Sequence, residues 1–181
     1  AGGRAASVVI ERNPKERSMG VVTRYTSGYP DPTKVSAFSR NAHEAVANLK
    51  VSYFSIAAQN GDSIGSVFKI ARLPSNAMIF PGLSSLFAAA NAGLTSVSIG
   101  VNNNIGTKQV GALQNALNIA AGGTFALAGA VAQANYGQRL WQLLGLASDP
   151  GMELDLEITL NAASTAASLI NGQLVWSVPG L

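Results

Sequence analysis

Cysteine is absent from the 181 residues. No disulfide, thiolate nucleophile or thiolate metal site can therefore be built. The absence of disulfides suits a chain made in a reducing cytosol. Histidine is nearly absent too: the one present, His43, stands between Ala42 and Glu44 in a polar segment. A Ser–His–acid triad needs a histidine held in a rigid, partly buried cleft, and the usual zinc sets need several His or Cys ligands. His43 is therefore read as a surface or interface residue, and neither a catalytic centre nor a metal site is expected. Charge is scarce as well. Asp, Glu, Lys and Arg make up 12% of the chain, against about 25% in an ordinary soluble domain. A free monomer keeps itself soluble with surface charge, so the shortage predicts a chain that hides much of its surface in an assembly.

Other absences narrow the function further. Aromatic residues are 7% of the chain, and Trp141 and Trp176 both fall within apolar runs, where core packing is the default role. A glycosidase cleft, with paired carboxylates flanked by sugar-stacking aromatics, is poorly provided for. Neither a G-x-G-x-x-G nor a G-x-x-x-x-G-K-[ST] phosphate loop occurs, and no cofactor is expected. Long apolar runs are missing. The uncharged stretch 73–107 is broken by Pro74, Pro81 and Asn102-Asn103-Asn104, and 109–138 carries Gln114, Asn115, Asn118 and Gln133. A spanning helix needs about 20 predominantly apolar residues in a row, so no membrane partner is expected. Residues 1–10 hold no apolar stretch of the kind a secretory leader needs.

What charge there is lies unevenly. Residues 1–50 hold eight Lys and Arg against four Asp and Glu, a surplus of four; the rest holds four against five. The same first fifty residues are punctuated by Pro14, Gly20, Gly28, Pro30 and Pro32. Proline fixes its own φ and restricts the residue before it, so the segment reads as an extended arm. Val8-Val9-Ile10 and Val21-Val22 are candidates for short added strands, and residues 41–48 for a weak helix. A modestly basic arm suits an acidic protein surface or nucleic acid. Its candidate contact residues are Arg12, Lys15, Arg17, Arg24, Tyr25 and Tyr29. Such an arm is expected to order only on assembly, because it has no core of its own.

From residue 51 the texture turns to strands. Residues 51–58 and 66–73 flank Asn60-Gly61, a turn dipeptide that predicts a hairpin between them. Val97, Ile99 and Val101 alternate with polar or small residues. Met152, Leu154, Leu156, Ile158 and Leu160 alternate with Glu153, Asp155, Glu157 and Thr159. Period two over nine residues predicts a half-buried strand. Its carboxylates, about 6–7 Å apart along one face, read first as a solvated acidic stripe, second as a docking surface and last as a cation site together with Asp149. Asn171-Gly172 between apolar runs predicts a second hairpin. Residues 109–121 and 140–144 are read as helices covering the ends, the latter closed by Gly145. Many short strands with close turn signals predict a mainly β sandwich or barrel.

A resemblance sharpens this. The run Asn60-Gly61-Asp62-Ser63-Ile64-Gly65-Ser66-Val67-Phe68, continuing to Leu73-Pro74-Ser75-Asn76-Ala77, resembles a pattern in small virion proteins of tailed bacteriophages. There a "GDS.GSV" strand leads to "LP..A" and a further apolar strand. Residues 96–100, the segment Leu140-Trp141-Gln142-Leu143-Leu144-Gly145-Leu146 leading to Asp149-Pro150-Gly151, and the closing strand 173–178 are similar in the same way. The likeness covers roughly residues 51–178, and its motifs are structural. It implies the capsid decoration (cement or head-stabilising) proteins. The fold expected from it is mainly β, a jelly-roll-like β-sandwich over 51–181 with short helices and the extended N-terminal arm of 1–50. The expected function is structural: binding the outer capsid surface and stabilising contacts between major capsid subunits. The implied partner is the major capsid protein, with a homo-oligomer, a trimer before other states, and a location in the virion after synthesis in the host cytoplasm. Two other readings stay open: a main coat protein whose basic arm contacts the genome, and a carbohydrate-binding receptor module. Nucleic acid is otherwise not the expected partner.

Overall fold

The computed structural model describes residues 23–25, 49–129, 131 and 135–178. Among these residues ten strands form in chain order: β1 Thr23–Tyr25, β2 Lys50–Ala58, β3 Val67–Pro74, β4 Met78–Ile79, β5 Ser85–Ala88, β6 Val97–Asn102, β7 Lys108–Leu117, β8 Gly123–Ala126, β9 Glu153–Leu160 and β10 Ser168–Ser177. Among the same residues a 3-10 turn, Pro81–Leu83, and a short helix, α1 Leu140–Leu143, accompany them. Sheet A has the order β1-β3-β9-β6-β7 and sheet B the order β2-β10-β5-β8, with β4 added on β10.

The pairing follows one rule. Leaving aside the short β1 and β4, eight strands remain, and the first pairs the last: β2 with β10, β3 with β9, β5 with β8 and β6 with β7, all antiparallel. Successive pairs fall in sheets B, A, B and A. That is one long hairpin wound up so that its rungs alternate between two layers, the eight-stranded jelly roll. The expected sandwich and its jelly-roll character are both present. β1 joins sheet A by parallel pairing, with Arg24 opposite Phe68 and Tyr25 opposite Lys69.

The core lies between the layers. It takes Phe54, Ile56 and Ala58 from β2, Phe68 and Ile70 from β3, Val97, Ile99 and Val101 from β6, and Leu154, Leu156, Ile158 and Leu160 from β9. The nine-residue alternation thus fixed the inward face of β9, and β9 is central in its sheet, flanked by β3 and β6. Trp176 is buried and donates from Nε1 to Ser52 Oγ at 3.0 Å. Trp141 is half-buried against the same cluster, so both tryptophans pack as expected. The 140–144 turn is helical, with Leu140 and Leu144 buried.

Three local expectations fail, each for a physical reason. Asn171-Gly172 is no turn: β10 runs straight through it. Gly172 faces inward opposite Phe54. A Cβ there would run into the Phe54 ring and stand 2.8 Å from the Ser85 carbonyl oxygen. The glycine is thus a slot for an aromatic ring. Gly172→Val should cost about 2–3 kcal/mol by overpacking, a fall of about 5–10 °C in Tm for a domain of this size, read by thermal melting. An unchanged Tm would mean that the ring does not occupy the slot.

Asn60-Gly61 does turn the chain, and Gly61 has φ +91°, but β2 and β3 belong to different sheets. The turn carries the chain between layers and closes no hairpin. Residues 109–121 form no helix, because most of them belong to β7. β7 pairs β6 with two register shifts, and these irregularities blur its period. β5 was not foreseen: its four residues are too few to show alternation. The arm residues other than 23–25 and 49–50, among them the weak 41–48 helix and Val8-Val9-Ile10, lie outside the described residues; Lys50, expected in the arm, starts β2. Among the described residues no helix is long and apolar enough to cross a membrane.

Candidate protein-binding face

The two outer faces of the sandwich differ in kind. On sheet A the outward side of β9 carries Asp155 and Glu157, which are fully hidden and 2% exposed respectively. This corrects the solvated stripe. The face was read rightly, but its carboxylates are roofed by cations from β3, beside β9, and from β7, one strand further out. Arg72 Nε lies 2.7 Å from Asp155 Oδ1, and Lys69 Nζ lies 2.7 Å from Asp155 Oδ2. Lys108 Nζ stands 2.8 Å from Glu157 Oε2. Asn102 Nδ2 donates to Glu157 Oε1 at 2.9 Å, and Asn104 Nδ2 donates to Asp155.

The bulge in β3 makes this roof. Lys69 and Arg72 are three residues apart and would lie on opposite faces of a regular strand. The register slips between Lys69 and Ala71, burying both Ile70 and Ala71 and returning Arg72 to the same side as Lys69. Buried carboxylates hold their charge only when paired and hydrogen-bonded, and these are. The arrangement is a structural clamp. Sequence reasoning missed Lys69, Arg72, Lys108, Asn102 and Asn104. A signal existed: residues 51–178 contain only four Lys or Arg, and three of them form this roof.

A shallow cavity of about 310 Å³ opens at the end of β3 and the start of β9, between Pro74, Asn76, Met152 and Asp149. Asp149 accepts a hydrogen bond from the Ser75 hydroxyl and another from the Gly151 N–H at 2.9 Å. Chiefly the first of these, then the second, hold its carboxyl below the ordinary aspartate value, and Arg139 adds a smaller pull in the same direction. A lowered folded-state pKa stabilises the fold fully above the unfolded value, about 3.9, and the gain fades as pH falls through the folded value. Asp149→Asn should therefore melt below wild type at pH 6, and the gap should narrow below about pH 4. A gap that is constant across the titration would assign the loss to shape alone.

Sheet B presents the other kind of face. Outward-pointing residues with exposed surface are Val51, Tyr53, Ser55 and Ala57 on β2, and Leu169, Asn171 and Gln173 on the paired β10. Ser85 and Phe87 on β5, then Thr124 and Ala126 on β8, continue it. None is charged. Tyr53 is 73% exposed, Val51 48%, Leu169 47% and Phe87 44%. Leu83, also exposed, adjoins them, since its carbonyl accepts from Gln173 Nε2 at 3.3 Å. A contiguous apolar and uncharged sheet face is the kind of surface that meets another protein. Composition hinted at it through the low charge, but its position depended on which alternate residues face out of sheet B.

Of the arm residues singled out, Arg24 and Tyr25 sit on β1 at the edge of sheet A. Arg12, Lys15, Arg17 and Tyr29, like His43, lie outside the described residues.

No family model and no curated protein matches the sequence. A solved structure shares the fold. A chain from the capsid of Ralstonia phage GP4 aligns with TM-score 0.52 at 12% identity, over 90% of this chain and all of that one. A chain from the cyanophage Pam1 capsid asymmetric unit aligns with TM-score 0.48 at 17% identity, over 82% of this chain and all of that one. At these identities the GP4 likeness speaks to the jelly-roll architecture.

Proposed function

We propose that this chain is a structural, non-enzymatic protein of a phage virion, seated on the outer surface of the capsid, where it stabilises contacts between major capsid subunits. The observation that carries this reading is the charge-free outer face of sheet B, lying opposite a face whose buried carboxylates are already paired. Sharing a fold with a chain of the GP4 capsid fits the same setting. Burying apolar area contributes about 25 cal/mol per Å². The face measures at most roughly 30 Å along β2 by about 15 Å across four strands, on the order of 450 Å² and below the ~800 Å² per partner of a standard interface. One such face binds weakly. Firm attachment needs repetition, as in a homo-oligomer such as a trimer, or further points of contact. The basic arm, through Arg12, Lys15, Arg17, Arg24, Tyr25 and Tyr29, supplies a further contact with the capsid in this reading.

The test is direct: purified chain is added to pre-formed empty capsids of its phage. Co-sedimentation, with capsids that survive a higher temperature, supports the reading. Absence of binding overturns it. Binding to capsids that is unaffected by removal of residues 1–22, together with loss of nucleic-acid binding, would promote the coat-protein reading instead.

A further inference from the structure

The β6–β7 connection, residues 103–107, carries Ile105, which at 77% is the most exposed large hydrophobic side chain among the described residues. A lone exposed apolar residue needs no explanation. The holding of this one does. Asn103 is buried, its N–H bonds the Thr107 carbonyl at 3.1 Å, and its Oδ1 accepts from the N–H groups of Ile105 at 3.0 Å and Thr107 at 2.9 Å. Asn104 adopts φ +59°, a left-handed conformation that asparagine tolerates better than most residues. Its N–H bonds Asn102 Oδ1 at 2.8 Å, its Oδ1 accepts from Lys69 Nζ at 2.7 Å, and its Nδ2 donates to the hidden Asp155. Asn102 in turn donates to Glu157. Asn102 and Asn104 thus tie the five-residue tip to the buried ionic clamp, and Asn103 braces it from within.

We infer that this tip is a preformed knob that inserts Ile105 into an apolar pocket of a neighbouring major capsid subunit, as a second point of attachment apart from the face of sheet B. The inference rests on the capsid reading above. A staple must hold two bodies, and the sheet B face offers one surface only. The knob belongs to the other sheet. Residues 102–107 carry no charge, and the cations beneath, Lys69 and Lys108, are engaged with Asp155 and Glu157, so the tip loses its water without stranding a charge. These bonds restrain the tip before contact, which lowers a main cost of loop-mediated binding.

The experiment uses the full chain and empty capsids. Ile105→Ser should leave Tm unchanged, since the side chain is exposed, and weaken capsid binding at least 10-fold. Ile105→Val should bind within about threefold of wild type. Asn103→Ala, which loosens the tip while keeping Ile105, should also weaken binding. Wild-type binding by Ile105→Ser overturns the knob and leaves the capsid reading intact. Failure of wild type itself to bind overturns both.

Discussion

Replacing Asp155 by alanine is expected to destabilise the fold by about 3–5 kcal/mol, the loss seen when one partner of a buried ion pair is removed. The carboxylate is fully hidden, and it is the shared acceptor of Arg72, Lys69 and Asn104. Its removal takes this carboxylate from Arg72 and Lys69, which are only 23% and 12% exposed. For a domain of this size each kcal/mol is worth about 2–4 °C, so Tm should fall by about 6–20 °C in a calorimetric melt. Glu153→Ala, at the exposed start of the same strand, should cost under about 1 kcal/mol. Moderate salt should change the Asp155 effect little, because buried pairs are poorly screened. Equal, small losses from the two substitutions would return β9 to the solvated stripe that its alternation suggests.

A single charge on the outer face of sheet B should do the reverse: little to stability, much to binding. Tyr53 and Leu169 project into solvent, so Tyr53→Glu or Leu169→Glu should shift stability by about 0.5 kcal/mol or less. Against a partner, the new carboxylate must be desolvated on a face that carries no cation among the described residues. Burying an unpaired charge costs several kcal/mol. Capsid binding should therefore drop by more than about 100-fold, a loss of roughly 3 kcal/mol, measured as bound protein per shell at rising concentration. Binding that withstands both substitutions would exclude this face as the seat.

What could be read from the residues followed from period and composition. The alternation around Leu154, Leu156 and Ile158 placed β9, its inward face and the sandwich, and the helical turn at Leu140 was readable from its dense apolar run and Gly145. The errors share a cause: local signals were overruled by partners distant in sequence. Asn171-Gly172 carries the strongest short-range hairpin signal, yet Phe54, more than a hundred residues earlier, claims the space above Gly172. The stripe of Glu153, Asp155 and Glu157 looked wet because the roof over it comes from β3 and β7, and because a bulge at Ile70, invisible in any pattern, turns Arg72 to the right side. The charge-free face was foreseeable only as a quantity, too little charge for a free monomer. Its location needed the register of four strands.

The winding of first strand onto last also sets a clock. β2 is complete at Ala58, but its neighbour β10 ends at Ser177, so the centre of sheet B is missing until nearly 120 further residues have been added to the growing chain. Pairings so distant in sequence form slowly, because a long loop must close before any contact rewards it. The outer face that spans β2, β10, β5 and β8 therefore does not exist on a chain that stops before β10. In the proposed reading, attachment becomes available only once β10 has been made, and the topology keeps shorter chains from occupying the places of complete ones.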